Sequence, residues 1–223
     1  MPALGRPVEA PAPGGTPGPE NSLVILHEEI PLGSWRLPET DGPAISVSER
    51  AGPAGLGVLV WRRDDAPSEA ALAAMQGAAT ELAAGGISLF ALSLDGVREA
   101  EASAARRAML APAIPGGRTD RPTRAVLELA LARTLSPYED LPLPILLGFD
   151  AEGDLVWLEV GDASPTSLAE LAEAVDRRED SSSTAGLLGG RWTGTAPRRD
   201  LESMAKWLEE RGLTDVAAGL RGR

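Results

Sequence analysis

The chain has 223 residues, a net charge of −12, one histidine and no cysteine. Without cysteine it can form no disulfide, thiolate metal site, iron–sulfur cluster or thiol nucleophile, and a single histidine excludes a multi-histidine zinc site. The acidic balance opposes nucleic-acid binding, which needs a basic footprint against phosphate, and no apolar run reaches the roughly 20 residues of a membrane helix.

Residues 1–22 are rich in Pro, Gly and Ala and show no periodicity. Such a segment buries too little apolar surface to offset its ordering entropy, which predicts a disordered arm. It has no signal-peptide apolar stretch, so the chain as written reads as cytoplasmic. As a piece of a longer precursor it would instead be extracytoplasmic. Leu23-Val24-Ile25-Leu26 reads as a strand or an extended segment laid on the domain. Trp35–Pro38 and Ile45–Ser48 read as a small hairpin around the turn signal Glu39-Thr40-Asp41-Gly42-Pro43. Gly57–Trp61 is a continuous apolar run, expected of a strand buried on both faces. Asp65 is the expected N-cap of a helix that carries Pro67 in its first turn, runs to about Ala84 and ends at Gly85-Gly86.

Ile87–Leu94 predicts a second buried strand, Val97–Leu110 an Ala/Arg-rich helix, Ala111–Pro122 a loop and Thr123–Leu135 a helix. Pro144–Phe149 predicts a third strand, Asp150–Gly153 a tight turn, and Leu155–Val160 a strand pairing back antiparallel. A helix is expected over Ser167–Arg177, a Ser/Gly linker over Asp180–Gly190 and a helical piece over residues 198–220. Strand–helix alternation closed by a hairpin predicts an α/β layer fold with a mixed sheet.

Three stretches carry a resemblance in order and spacing. They are Trp35-x-Leu37-Pro38-Glu39-Thr40-Asp41-Gly42, then Val58–Trp61 with the acid-rich helix start, then Leu143-Pro144-Ile145-Leu146-Leu147-Gly148-Phe149-Asp150-x-x-Gly153-Asp154. Over Leu23–Asp176 the chain resembles the redoxin, TlpA-like and AhpC/TSA-like domains of the thioredoxin superfamily. The resemblance implies a thioredoxin-like fold, with a mixed central sheet flanked by helices. It places Asp65 and Ser68 at the two cysteine positions and Pro144 at the cis-proline position. Thiol–disulfide oxidoreductase activity is not carried over, because both cysteines are replaced. The cis-proline groove of that fold leaves backbone free to pair with an extended peptide, which needs no thiol. Trp61, Asp65, Ser68, Leu143 and Pro144 are thus the candidate binding residues. Pro144 also has a plainer reading, as the residue that sets the turn into its strand. Redoxin domains of this look also occur beside FG-GAP and helical repeats, so the chain could be one piece of a larger redoxin-plus-repeat protein.

Other constellations compete with simpler readings. Asp64-Asp65 could act as a carboxylate pair in a non-thiol enzyme or hold a divalent cation, but helix capping explains the position. Ser68 with His27 as base would need the two to meet, and no nucleophile-elbow motif frames Ser68. Trp35, Trp61 and Trp157 read as core or rim aromatics, while Trp192 and Trp207 fall outside the domain.

The expected organisation is a disordered arm (1–22), a thioredoxin-like domain (23–178), a linker (179–197) and a helical hairpin (198–223). Leu201-x-x-Met204-Ala205-x-x-Leu208, then Gly212 and Ala217, is spaced like part of a tetratricopeptide repeat, or like a generic amphipathic hairpin. Its apolar face should seek cover on the domain, on a helical-repeat partner or on a second copy. Arg198, Arg199, Lys206 and Arg211 favour an acidic partner. The expected role is a redox-inactive protein- or peptide-binding or structural module with no cofactor, no nucleic-acid partner and no membrane insertion.

Overall fold

Gly55–Trp61 forms strand β4, and its residues before Trp61 are buried on both faces, as a continuous apolar run requires. A computed structural model describes residues 22–40, 42–95, 114–134, 141–161, 163–169, 186–187, 190–191 and 200–222. Beside β4 lie β1 (Ser22–Pro31), β5 (Ile87–Ser93), β6 (Gly116–Arg118), β7 (Ile145–Phe149) and β8 (Asp154–Val160). Two short strands, β9 (Gly186–Leu187) and β10 (Gly190–Arg191), complete an eight-stranded sheet in the order β10-β9-β1-β8-β7-β4-β5-β6. The strand pairs β4–β5 and β5–β6 are parallel, and β4–β7, β7–β8 and β8–β1 are antiparallel, so the sheet is mixed.

Helices cover both faces. On one side α2 (Ala66–Ala84) packs Ala71, Leu72, Met75 and Leu82 with Leu59, Leu89, Leu146 and Trp157 of the sheet. Leu168, in a helix over the described residues 165–169, joins the same cluster. On the other side α3 (Arg121–Thr134) packs Val126, Leu127, Ala130 and Leu131 against Val58, Phe90 and Leu147. Asp120 accepts a hydrogen bond from the Thr123 N–H at 2.8 Å and so caps α3.

One irregularity orders the centre of the sheet. Leu155 pairs with Phe149 and Trp157 with Gly148, so Val156 is an extra residue on β8. The bulge turns Val156 and Trp157 to the same face. The Trp157 indole lies across Gly148, where an added Cβ would sit 1.9 Å from its ring. Only glycine fits there.

Several elements differ from the expectation. Residues 116–118, expected in a loop, form edge strand β6 parallel to β5. Pro115 before it and the glycines Gly116 and Gly117 within it hid a strand too short to show alternation. After the two-stranded hairpin β2 (Arg36–Leu37) and β3 (Ile45–Ser46), the chain turns into a short helix α1 (Val47–Arg50) rather than continuing extended. The cause is a capping box, in which Ser46 Oγ accepts from the Glu49 N–H and the Glu49 carboxylate accepts from the Ser46 N–H. Ser22 belongs to β1 rather than to the arm, and residues 186–187 and 190–191 of the expected linker join the sheet beside β1. The expected helix over 97–110 and the arm over 1–21 lie outside the described residues.

The C-terminal residues form a helical hairpin, α4 (Leu201–Glu209) and α5 (Thr214–Arg221). Its apolar face is covered within the chain, not left for a partner. Met204, Ala205, Leu208, Val216, Ala217 and Leu220 are buried in the same core cluster as Leu26, Ile30 and Trp35. The helices meet β1 and α3, and Ser34 Oγ donates to the Asp215 carbonyl at 3.3 Å. Arg221 ties α5 back to α4 through Glu202 and Glu209. The hairpin is therefore part of the core, and Leu208→Ala should lower global stability by about 2–5 kcal/mol. Urea unfolding followed by tryptophan fluorescence and by far-ultraviolet circular dichroism should stay one coincident transition. A separate early transition in the variant would show that the hairpin is not in the cooperative unit.

Candidate functional site

The start of α2 stands at the C-terminal end of β4. The Trp61 carbonyl accepts the Leu94 N–H at 2.9 Å, which joins the ends of β4 and β5. The Arg63 N–H donates to the Asp95 carboxylate at 3.1 and 3.4 Å, and Ser93 Oγ donates to the same carboxylate at 2.8 Å. The loop from β4 into α2 is thus anchored to the end of β5. Asp64 sits in the left-handed region, φ 61°, which aspartate tolerates better than most residues.

Asp65 is the N-cap of α2, as its position implied. Its side chain accepts the Ser68 N–H at 2.9 Å. Its oxygen therefore serves the helix start. Ser68 is fully buried, and its Oγ has no hydrogen-bond partner. A hydroxyl left this way costs about 1–3 kcal/mol, whereas a thiol is a much weaker donor and would lose less. The site thus penalises a weak hydrogen-bonding group less than the hydroxyl it holds.

Across the sheet, Val60 pairs with Ile145, which places Pro144 beside Trp61. The Leu143–Pro144 peptide bond is cis. The Pro144 carbonyl accepts the Gly161 N–H at 2.9 Å. Among the described residues, neither the N–H nor the C=O of Leu143 has a backbone partner. Leu143 and Trp61 are half-buried, as are Leu94, Leu141 and Pro142. Trp61, Asp65, Ser68, Leu143 and Pro144 therefore all lie at the end of the sheet where β4 stops and β7 starts.

Other candidates are not brought there. His27 lies on β1, three strands from β4, a lateral distance of about 14 Å at normal strand spacing. Asp64 and Asp65 gather no third metal-binding side chain among the described residues. A different trio converges at the opposite end of the sheet. Glu29, Asp150 and Asp154 bring three carboxylate oxygens within 4.8 Å of one another and are the described residues best arranged to meet a cation. Glu29 lies about 120 residues before Asp150 and Asp154 in sequence, and the three stand at the ends of β1, β7 and β8, so no local spacing signalled the trio. Burial pushes the Asp150 carboxyl above its ordinary value, and the charges of Glu152 and Glu29 push the same way.

The solved structures most informative for this arrangement are two. A DsbF homologue from Corynebacterium diphtheriae superposes with a TM-score of 0.51 at 11% identity, over 75% of this chain and 98% of that one. A thiol:disulfide interchange protein of the thioredoxin family from Chlorobium tepidum TLS superposes with a TM-score of 0.50 at 14% identity, over 67% of this chain and 96% of that one. The chain has a thioredoxin-like fold. No protein-family model and no curated protein matches it in sequence. The thioredoxin-like fold is present here without any cysteine. Its own side chains can therefore supply no thiolate, the nucleophile of disulfide exchange. No helix among the described residues is long and apolar enough to cross a membrane.

Two variants probe these sites. In Asp65→Cys with Ser68→Cys, the new sulfurs occupy the N-cap and N3 positions of one helix, the second of them already buried. An intramolecular disulfide should form on mild oxidation, read as loss of both free thiols without dimer. Persistent free thiols would place the two side chains out of bonding range. At the other end, Asp150→Asn keeps the acceptor for the Asp154 N–H, seen at 2.8 Å, and removes a charge. The fold raises the Asp150 pKa, so ionised Asp150 costs stability as pH rises from the unfolded aspartate value through the raised one. Asp150→Asn should therefore raise Tm at about pH 7, and the gain should vanish near pH 3, where the parent carboxyl is protonated in both states. An equal gain at both pH values would refute the charge argument.

Proposed function

We propose that this chain is a redox-inactive thioredoxin-like module that binds a protein partner through an extended segment laid against Leu143 and Trp61. The observation that carries the reading is the unpaired backbone of Leu143 beside a site whose thiol positions have been given to other work. Asp65 caps α2 and Ser68 is buried within it. Strand addition needs a free N–H and C=O on one extended residue, with apolar side chains nearby for specificity. Leu143 offers both groups, half-buried Leu94 and Leu141 pack against the same core cluster as Leu143, and half-buried Trp61 stands at the same sheet end, packed against the other cluster. The carboxylate-enzyme alternative has less support. Asp65 is engaged by the Ser68 N–H, and Asp64 stands exposed on the surface.

Two measurements test the proposal. Insulin reduction with dithiothreitol as electron source should run at the rate of the protein-free blank. In nuclear magnetic resonance titrations with an extended peptide of Ala, Leu and Pro, the Leu143 amide and the Trp61 indole N–H should shift. The amide of Gly153, at the opposite end of the sheet, should stay in place. Catalysis above the blank would overturn the redox-inactive half. Unmoved Leu143 and Trp61 signals at millimolar peptide would overturn the binding half.

A further inference from the structure

Strand β5 is paired along its whole length on one side and only in part on the other. Each of its residues pairs with β4, but only Ala91, Leu92 and Ser93 pair with β6. The Ala91 N–H donates to the Pro115 carbonyl at 2.9 Å, and the Ser93 carbonyl accepts the Thr119 N–H at 2.8 Å. Backbone groups alternate sides along a strand, so Ile87 and Leu89 turn theirs to that same edge. By the same register the Leu89 carbonyl would meet the backbone nitrogen of Pro115, which carries no hydrogen to give. Among the described residues, neither Ile87 nor Leu89 has a hydrogen bond on this edge.

The unpaired edge opens into a cleft of about 280 Å³. That is just under the roughly 300–1,000 Å³ of a small-molecule site and suits a short stretch of chain. Two helices wall it, one from each layer. α2 contributes Ala79 and Ala83 on the face to which Ile87 and Leu89 point, and α1 contributes Glu49 and Arg50 on the face of Phe90. Pro115 closes one end, and the Ala54 N–H, bonded to the Gly86 carbonyl at 3.0 Å, closes the other. The small side chains of α2 leave room for an apolar residue. The α1 wall is charged. Arg50 is engaged by Glu39 at 3.4 Å and lies over the Phe90 ring. Glu49 is exposed, and the Ser46 hydroxyl and N–H that donate to its carboxylate hold its pKa below the ordinary value. Arg36, whose charge also reaches Glu49, gives its hydrogen bond to the Ala44 carbonyl. With −12 on the chain as a whole, the field at this rim attracts cations.

We propose that the β5 edge at Ile87–Leu89 is a second strand-addition site, which takes an extended basic segment of a partner protein. Its apolar side chains lie toward Ala79 and Ala83, and a lysine or arginine meets Glu49. The Leu89 N–H and C=O supply the main-chain pairing that such recognition uses, and alternate side chains of the segment supply the selectivity. Leu89 pairs with Gly57, four residues before Trp61 on β4, so the site lies about 13 Å along the sheet from the Leu143 end. It does not depend on the Leu143 reading.

The test titrates the full chain, enriched in nitrogen-15, with an end-capped heptapeptide of alternating valine and lysine. The Ile87 and Leu89 amides should shift, and the Leu143 amide should stay in place. The same peptide methylated at each backbone nitrogen keeps its charges but gives no N–H, and it should not bind. A heptapeptide of alternating valine and glutamate should not bind either. Glu49→Gln keeps the capping-box acceptor and removes the charge, so it should weaken the lysine peptide about twofold to fivefold, the range of an exposed ion pair. Ala83→Leu, at an exposed helix position that suits leucine, fills the cleft and should abolish the shifts. Unmoved Ile87 and Leu89 amides at millimolar peptide would overturn the proposal, and shifts at Leu143 alone would do so while leaving the Leu143 site standing. Equal binding of the methylated or the glutamate peptide, or full affinity in either variant, would overturn it as well. A dimer in light scattering that Ala83→Leu breaks would give the edge to a second copy and refute the peptide reading.

Discussion

The central strands are buried on both faces, and most of the remaining architecture follows from that. Leu56, Val58 and Val60 of β4 face one cluster while Leu59 faces the other, and β7 divides the same way. A strand of this kind needs a helical layer above and below it. α2 and the helix containing Leu168 serve one face, and α3 the other. Adding β1 beyond β8 widens the sheet, and α3 reaches β1 but shares its cover with the C-terminal hairpin. Without the hairpin, Leu26 and Ile30 would meet water on that face. The C-terminal hairpin closes this extension with Met204, Leu208, Val216 and Leu220. The strand at one end of the described chain and the helices at the other thus depend on each other.

That dependence also explains why the tetratricopeptide-like spacing did not decide where the hairpin goes. Large apolar residues three and four apart give any amphipathic helix one face. The same face is needed to stack on another repeat or to lie on a sheet. The spacing therefore reports that a surface must be covered, and the coverer is set by what else is exposed. Here Leu26 and Ile30 of β1 belong to the same cluster as the hairpin's buried residues, so the cover is found in cis.

Legibility in the sequence followed the range of the interactions. β4, α2, β5, α3, β7 and β8 were readable because apolar runs, a capping aspartate and a Gly-Gly stop are local signals. The cluster of Trp61, Asp65, Ser68, Leu143 and Pro144 was readable only through the resemblance, since Asp65 and Leu143 are joined by strand pairing and not by spacing. β6 was missed because a three-residue Gly-Gly-Arg strand preceded by Pro115 carries no alternation and exists only through its pairing with Ala91, Leu92 and Ser93. The Glu29, Asp150 and Asp154 cluster was missed for the same reason. It is assembled by the β1–β8 register, which no local pattern encodes. The capping box at Ser46 and Glu49 was the exception, a local signal that was present and passed over.

At the start of α2 the fold separates from redox chemistry. A redox helix needs its first turn fixed whether or not a sulfur sits there. The fixing here comes from groups that have no redox role. Asp65 caps the helix, and Asp95 receives both the Arg63 N–H and the Ser93 hydroxyl. None of these bonds would be altered by a thiol placed at position 68, and the Asp65 cap is the single one lost by a thiol placed at position 65. Ser68 holds a buried hydroxyl with no partner, in a site that tolerates a poor hydrogen-bonding group. Leu143, by contrast, keeps backbone groups available at the edge of that same site. Without cysteine the chain supplies no thiolate, while the Leu143 edge is set by the β4–β7 register and does not depend on a sulfur.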